Sequence, residues 1–301
     1  MTSRTLYNLV HGSLMRLPSR IKKPLRRTLE PVLPKPEYYL VSYPKSGRTW
    51  LRMMIGSAAL HHLGLRDDDP TDLERFGRRW RAFPSIRITH DAESTNVGRE
   101  RIRFRPALYR RSRIIFLVRD PRDVLVSFFH HQKNRRQFES DMPSFAHPDE
   151  MVDAAAGGLA SLLRFCNVWA EHLPETRGYM LAHYEDLKAD PGPEIRRCLE
   201  FLGLAGVSEA SIAAGVEQGR FSTMQAAERS GRFAHPRLRP ADPANLASFK
   251  VRKGVVGGYV DEFSPAAVER MEAMIAGQLS DVFARYKYRT GDRHAAGTGG
   301  A

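Results

Sequence analysis

Only two cysteines, Cys166 and Cys198, occur in 301 residues. Two thiols are too few for a disulfide scaffold or a cysteine-based metal cluster, and such usage fits a reducing, cytoplasmic compartment. Long apolar runs are missing as well. Ile114 to Val118 is among the longest unbroken stretches, far short of the roughly 18 residues that a membrane-spanning helix needs. The N-terminus has neither the extended apolar core nor the small-residue cleavage site of a secretory signal. Acids are scarce relative to bases: 34 Asp and Glu face 47 Lys and Arg, for a formal charge of +13, which points to an anionic substrate or partner. What is present, 42% apolar and 27% charged residues, is the balance of a globular chain and not of a disordered or fibrous one.

The positive charge is concentrated at the front. Before residue 36, eight basic residues stand against Glu30 alone, and Leu6, Leu9, Val10, Leu14, Met15 and Leu17 recur at helical spacing ahead of the basic cluster. Such a segment either lies on an anionic lipid surface or forms a loosely packed arm. Pro31, Pro34 and Pro36 mark a boundary. Beyond it, Tyr38 to Ser42 reads as a short buried strand, followed by a glycine-containing turn and the helical pattern from Trp50 to Ile55. The same sequence of patterns returns at Arg113: a strand through Val118, a break at Arg119-Asp120-Pro121-Arg122, and a helix from Asp123 to His131. Gly178 to Ala182 is a further strand, and Ile195 to Gly203 and Ser264 to Tyr286 each read as one helix. Strands alternating with helices predict an α/β domain with a mainly parallel central sheet flanked by helices. The expected organisation is a basic N-terminal arm over 1–35, one α/β domain over 36–290 and a disordered tail over 291–301.

Between the first strand and helix lies Tyr43-Pro44-Lys45-Ser46-Gly47-Arg48-Thr49-Trp50. A loop in this position turns its backbone N–H groups and a helix N-terminus towards an anion. It is not the G-x-x-x-x-G-K-[ST] loop of ATPases and GTPases, because no glycine precedes the lysine. The segment resembles the 5′-phosphosulfate loop of the sulfotransferases that use 3′-phosphoadenosine 5′-phosphosulfate (PAPS). Three later segments agree with that resemblance: Phe116 to Ser127, with Arg119 and Ser127 at the family's 3′-phosphate positions; Tyr184-Glu185-Asp186-Leu187; and Arg252-Lys253-Gly254 with Gly257, in place of the C-terminal phosphate-binding loop. Gly257-Gly258-Tyr259 departs from the family's usual Gly-Asp-Trp.

The resemblance implies PAPS as donor, with no metal, since lysine and arginine supply the positive charge. The donor carries charge at both ends and so requires two cationic pockets. Lys45, Ser46, Gly47, Arg48 and Thr49 suit the phosphosulfate. Arg119, Ser127, Arg252, Lys253 and Gly254 suit the 3′-phosphate, arginine offering a forked contact that lysine lacks. Trp50 and Phe221 match the family's adenine-stacking residues, and Tyr184 its adenine-edge residue, although of the Ser-Phe-x-x-Met pattern around Phe221 only Phe221 and Met224 remain, with Arg220 in the serine's place. Lys45 is placed to stabilise the leaving oxygen. The acceptor hydroxyl needs a base titrating near neutrality, which suits histidine. His90, in Ile86-Arg-Ile-Thr89-His90-Asp91, matches the family's Thr-His base; Asp91 or Glu93 either orients it or replaces it.

Two rivals stand beside this reading. A phosphate-loop kinase would need a Mg²⁺-binding acid at a strand end, and Asp120 is the candidate. A non-enzymatic basic protein would bind nucleic acid or a membrane surface, supported by Arg99, Arg101, Arg103, Arg105, Arg110, Arg111 and Arg113. The expected partners of the enzyme are a small-molecule, glycan or lipid hydroxyl acceptor and, through residues 1–35, a membrane surface; nucleic acid is disfavoured. The loops Gln132 to Gly158 and Gln225 to Phe249, which contain Arg135, Arg136, Arg229, Arg232, Arg237 and Arg239 among several prolines, favour a polar acceptor over a compact sterol or phenol.

Overall fold

The computed structural model describes Tyr7, Val10, Ser13 and residues 35–67, 69–91, 98–135, 144–231, 249 and 254–288. The basic segment after Ser13, Glu93, Arg252, Lys253 and the tail from 291 lie outside the described residues, as does most of the loop before Phe249.

Four strands, β1 (Tyr38–Ser42), β2 (Ile86–Thr89), β3 (Arg113–Val118) and β4 (Gly178–His183), pair in the order β2-β1-β3-β4, and every pairing is parallel. The mainly parallel sheet expected from the alternation is therefore present, with β1 and β3 at its centre. Side chains on a strand alternate between faces. Tyr39, Val41, Ile114, Phe116 and Val118 pack into one core layer, and Tyr38, Leu40, Ile115 and Leu117 into the other. Both faces are buried, which is why these strands read as continuous apolar runs instead of alternating ones.

Helices cover each face. On one side lie α1 (Arg48–His62), α2 (Leu73–Arg79), α6 (Pro191–Phe201) and α7 (Glu209–Gln218), through Leu51, Met54, Phe76, Ile195, Leu199 and Ile212. On the other lie α3 (Pro121–Arg135), α4 (Leu159–His172) and α9 (Pro265–Gln278), through Leu125, Phe128, Phe165, Trp169, Met271 and Ile275. Of the two remaining helices used below, α5 (Tyr184–Ala189) follows directly on β4, and α8 (Phe221–Arg229) packs through Met224 and Ala227 on Met53 of α1. Cys166 and Cys198 are buried on α4 and α6, where desolvation pushes both thiols up to about 12 and leaves them unreactive.

The single helix expected from Ser264 to Tyr286 is instead α9 followed by a separate 3₁₀ segment, Asp281–Tyr286. Leu279 is extended (ψ 137°), and the Ser280 hydroxyl accepts from the Val282 amide to start the second segment. Asn167 on α4 clamps the break, donating to the Gln278 carbonyl at 2.5 Å and accepting from the Ser280 amide at 2.7 Å. Apolar periodicity runs through Leu279 and Phe283, so the break was not visible in the pattern; it is imposed by a side chain from another helix.

Because the strands are parallel, their C-terminal ends share one edge. The chain leaves β1 towards β2 on one side and β3 lies on the other, so the loops after β1 and β3 flank a topological switch point, where α/β sheets bind ligands.

Candidate active site

The loop after β1 is bent by two residues in the left-handed region, Lys45 (φ 73°) and Gly47 (φ 91°). Glycine is required at 47 for a second reason: a Cβ there would stand 2.6 Å from the Tyr184 ring. For Lys45 the conformation is strained, and strain of this kind collects at functional sites. Gly47 begins α1 without any side-chain cap, and the first turn contains no acid. The leading amides of this 15-residue helix have no intrahelical acceptor, and Arg48 and Arg52 add positive charge to an end where acids are normally favoured. Such a helix terminus is built for an anion. Ser46 is buried at the loop's centre, and Thr49 and Trp50 follow on the first turn of α1.

His90 stands just past the end of β2 and is tied to this loop's origin: its Nδ1 lies 2.8 Å from the Ser42 carbonyl oxygen. A carbonyl accepts only, so Nδ1 carries the proton and Nε2 holds the lone pair. Arg48 donates to that lone pair, Nη2 to Nε2, at 2.7 Å. Burial pushes the Arg48 guanidinium down to about 9, with Arg52 adding to the shift and Glu74 opposing it, which leaves it charged at neutral pH. Its Nη1 is sealed from solvent with no hydrogen-bond partner among the described residues.

Asp91, one of the two carboxylates considered as partner or substitute for His90, is engaged elsewhere. Its Oδ1 accepts from Arg105 Nη2 and from the Tyr109 hydroxyl, both at 2.6 Å. Asp91 thus anchors the turn after β2, at the cost of a positive φ of 50°, and the Ser42 carbonyl performs the orientation of His90 that was expected of it.

Across the switch point, Arg119 at the end of β3 is held on several sides. It donates to the Lys45 carbonyl at 3.4 Å and to the Val255 carbonyl at 3.1 Å, and its guanidinium carbon lies 4.1 Å from the centre of the Tyr184 ring. Asp123, in the first turn of α3, faces Arg119 at 3.9 Å and accepts the Gly257 amide at 2.8 Å. Arg119 Nε is buried without a hydrogen-bond partner among the described residues. Ser127 lies one turn further along α3 and is half-buried. The segment after Gly254 therefore docks on β3 and α3, and Tyr259, at the departure from Gly-Asp-Trp, is buried with the Arg122 guanidinium 4.8 Å from its ring centre.

Tyr184 opens α5 with its ring packed edge-on against Trp50, 5.4 Å between centroids, while Trp50 Nε1 donates to the Gly219 carbonyl at 2.6 Å. Phe221 is 40% exposed at the start of α8, and its ring lies beside Gly254 together with Lys188 Nζ. An exposed phenylalanine beside Gly254 offers a face for a planar ring. Of the expected site residues, Lys45, Ser46, Gly47, Arg48, Thr49, Trp50, Tyr184, Arg119 and His90 converge at the C-terminal edge of the sheet, and Phe221 and Gly254 adjoin each other. Sequence reasoning missed Asp123 and Lys188. For Asp123 the signal was its i,i+4 spacing from Arg119; for Lys188, its place directly after the Tyr-Glu-Asp-Leu segment.

Asp120 does not serve as a free metal-binding acid. Its two oxygens accept from Arg122 Nε and Nη2 at 2.8 and 2.7 Å, and Arg122 is fully buried. The adjacent Glu185 accepts the Asp120 amide and the Tyr286 hydroxyl. This network carries the end of β3 into α5 and the C-terminal segment, and the kinase alternative loses its acid to it.

The residues present fit PAPS: an uncapped helix terminus and a sealed, unpaired Arg48 nitrogen on one side, the sealed Arg119 Nε on the other, and aromatic rings between and beside them. Comparison with known proteins agrees. The sulfotransferase domain family matches residues 35–283. Cytosolic sulfotransferase 17 of Arabidopsis thaliana is 25% identical over 261 residues, covering 79% of this chain and 73% of that protein. Sulfotransferase 6B1 of Homo sapiens is 27% identical over 246 residues, covering 77% and 73%. Among solved structures, mouse sulfotransferase SULT7A1 complexed with PAP, the desulfated form of PAPS, is similar in fold, with a TM-score of 0.57, 23% identity and coverage of 84% of this chain and 88% of that one. The match spans the loop after β1, the Arg119 strand, the Tyr184 segment and the loop before α9 in one run: this chain belongs to the sulfotransferase domain family.

Proposed function

We propose that the protein transfers the sulfuryl group of PAPS to a hydroxyl of a polar acceptor, with His90 as the base. The observation that carries this reading is the hydrogen bond from His90 to the Ser42 carbonyl. It sets the candidate base at the root of the loop that would hold the phosphosulfate, in the tautomer whose Nε2 can take a proton.

Sulfuryl transfer is akin to phosphoryl transfer: the transition state is loose, entering and leaving oxygens lie in line, and catalysis is chiefly positioning and charge stabilisation. The acceptor oxygen forms the new S–O bond while its proton passes to His90 Nε2. The bond from sulfur to the bridging phosphate oxygen breaks, and PAP leaves with the electron pair. Lys45 stabilises the charge that develops on that oxygen, worth on the order of 3 kcal/mol for one positioned cation in a water-poor site. Arg119, Ser127 and the 252–254 segment hold the 3′-phosphate, with Tyr184 against the ring system. Trp50 and Phe221 flank the adenine.

The acceptor we favour is a glycan, glycolipid or other polar alcohol, because the sequence from Gln225 to Phe249 carries Arg229, Arg232, Arg237 and Arg239. No helix among the described residues is long and apolar enough to cross a membrane. A cytoplasmic enzyme touching membrane through residues 1–35 would meet lipid-linked acceptors.

The test is a calorimetric titration with PAP beside 5′-AMP, which lacks the 3′-phosphate, followed by sulfate transfer from PAPS to a panel of hydroxyl compounds. Tight PAP binding that collapses for 5′-AMP supports the donor site. His90→Ala should then leave PAP affinity nearly intact while kcat falls about a hundredfold or more; retained turnover would remove His90 as base.

A further inference from the structure

The lone pair that His90 needs to accept the acceptor's proton is the one that Arg48 occupies at 2.7 Å. Base catalysis at His90 therefore requires Arg48 to let go. The same guanidinium carries a second nitrogen, Nη1, that is sealed from solvent and has no hydrogen-bond partner among the described residues. A buried, unpaired N–H on a cation is costly, and it persists here at the first position of a helix whose dipole already disfavours positive charge. Arg52, one turn on, places a second cation nearby instead of an acid. These costs cancel when an anionic oxygen is present between the loop and His90.

We infer that Arg48 is a ligand of the transferring sulfuryl group and that, without donor, it masks the base. This rests on the PAPS reading above. With PAPS bound, the charged non-bridging oxygens of the sulfuryl group attract the guanidinium fork, and its bond to Nε2 gives way. The histidine lone pair is then released only when there is a group to transfer, which suppresses proton abstraction from stray hydroxyls or water in the empty or PAP-bound enzyme. Arginine is suited to this because its two nitrogens share one rigid plane, so turning one towards the ligand moves the other. Lysine at this position would supply charge without that coupling.

The experiment separates Arg48 from the rest of the donor site by using two nucleotides that differ only in the sulfuryl group. Affinities for PAP and PAPS are measured by calorimetry on the full-length wild type, Arg48→Lys and Arg48→Gln, together with the ¹⁵N shifts of the His90 ring. In the wild type, PAPS should bind tighter than PAP. In Arg48→Gln that preference should fall by roughly tenfold or more, the scale of a hydrogen bond between charged groups, while PAP affinity stays within a few-fold. The Nε2 resonance of the wild type should report loss of its hydrogen bond on adding PAPS and no such change on adding PAP. Arg48→Lys should keep part of the PAPS preference but lose the Nε2 signature in the free enzyme. Equal weakening of PAP and PAPS in both variants would make Arg48 a phosphate contact or a structural residue and overturn the inference, as would an unchanged PAPS preference. Failure of the wild type to bind either nucleotide would overturn the donor reading, and the inference with it.

Discussion

Asp123 accepts the Gly257 amide at 2.8 Å with the same carboxylate oxygen that lies 3.9 Å from Arg119. One acid thus joins the candidate 3′-phosphate arginine to the loop that follows the C-terminal phosphate segment. The side chain is almost fully buried, and desolvation pushes its carboxyl up to about 6 against the opposing pull of Arg119 and the Gly257 amide. A carboxyl whose folded value exceeds its unfolded one binds protons more readily in the fold. The folded state therefore loses stability as pH rises from about 4 to about 6, and carries the full cost above that. The cost is on the order of 3 kcal/mol, since each pKa unit is worth about 1.4 kcal/mol. Asp123→Asn keeps an acceptor for Gly257 and removes the charge. Urea unfolding should show the variant gaining on wild type between pH 4 and 6 and keeping a constant advantage above pH 6; a pH-independent difference would contradict the burial cost.

Gly47→Ala should damage fold and site together. The backbone at 47 has φ 91°, and the new Cβ would meet the Tyr184 ring at 2.6 Å. The left-handed backbone alone costs about 1–3 kcal/mol. Displacing Tyr184 also removes the face on which Arg119 rests. Thermal unfolding should register the first effect, and PAP affinity should fall by at least about tenfold, the value of one charge-assisted hydrogen bond.

Removing Arg119 should discriminate between nucleotides. Arg119→Ala should weaken PAP binding by about a hundredfold through an unpaired 3′-phosphate and leave 5′-AMP nearly unaffected. Calorimetry with both nucleotides reads the split, and equal losses would show that Arg119 acts on the fold and not on the 3′-phosphate.

The Arg122–Asp120 pair should prove indispensable as a pair. Arg122 is fully buried, and Asp120→Ala leaves it only Glu272 at 3.8 Å and the Tyr286 and Tyr288 carbonyls in place of its bidentate partner, at a cost of up to about 3–5 kcal/mol. Chemical denaturation of Asp120→Ala beside the double variant Asp120→Ala, Arg122→Met checks this: the double variant should recover a large part of the loss, because it removes the buried charge.

Much of the architecture was legible because it is written in local patterns. Tyr38 to Ser42 coincides with β1, and the runs from Arg113 and Gly178 lie within β3 and β4; the central strands β1 and β3, buried on both faces, cannot hide among polar residues. The loop after β1 was legible from one lysine, one glycine and the position between strand and helix. Harder to see were contacts between residues far apart in the chain. Asp91 follows His90 directly, yet its oxygen goes to Arg105 and Tyr109, and the histidine is oriented by a carbonyl 48 residues earlier. Asp123 lay in full view within a recognised motif, but its partner Gly257 is 134 residues away.

By itself, then, the sequence determined the alternation of strand and helix, the composition of the anion-binding loop and the order of four motifs that mark the family, since each depends on residues within a turn or two of one another. The tertiary structure alone decided which histidine nitrogen holds the lone pair, that Arg48 covers it, and that Asp120 is spent on Arg122. Those outcomes depend on angles and distances between strand ends, which exist only once the parallel sheet has brought the ends together. A hydrogen bond is made or lost within a few tenths of an ångström and a few tens of degrees, and no spacing along the chain encodes that.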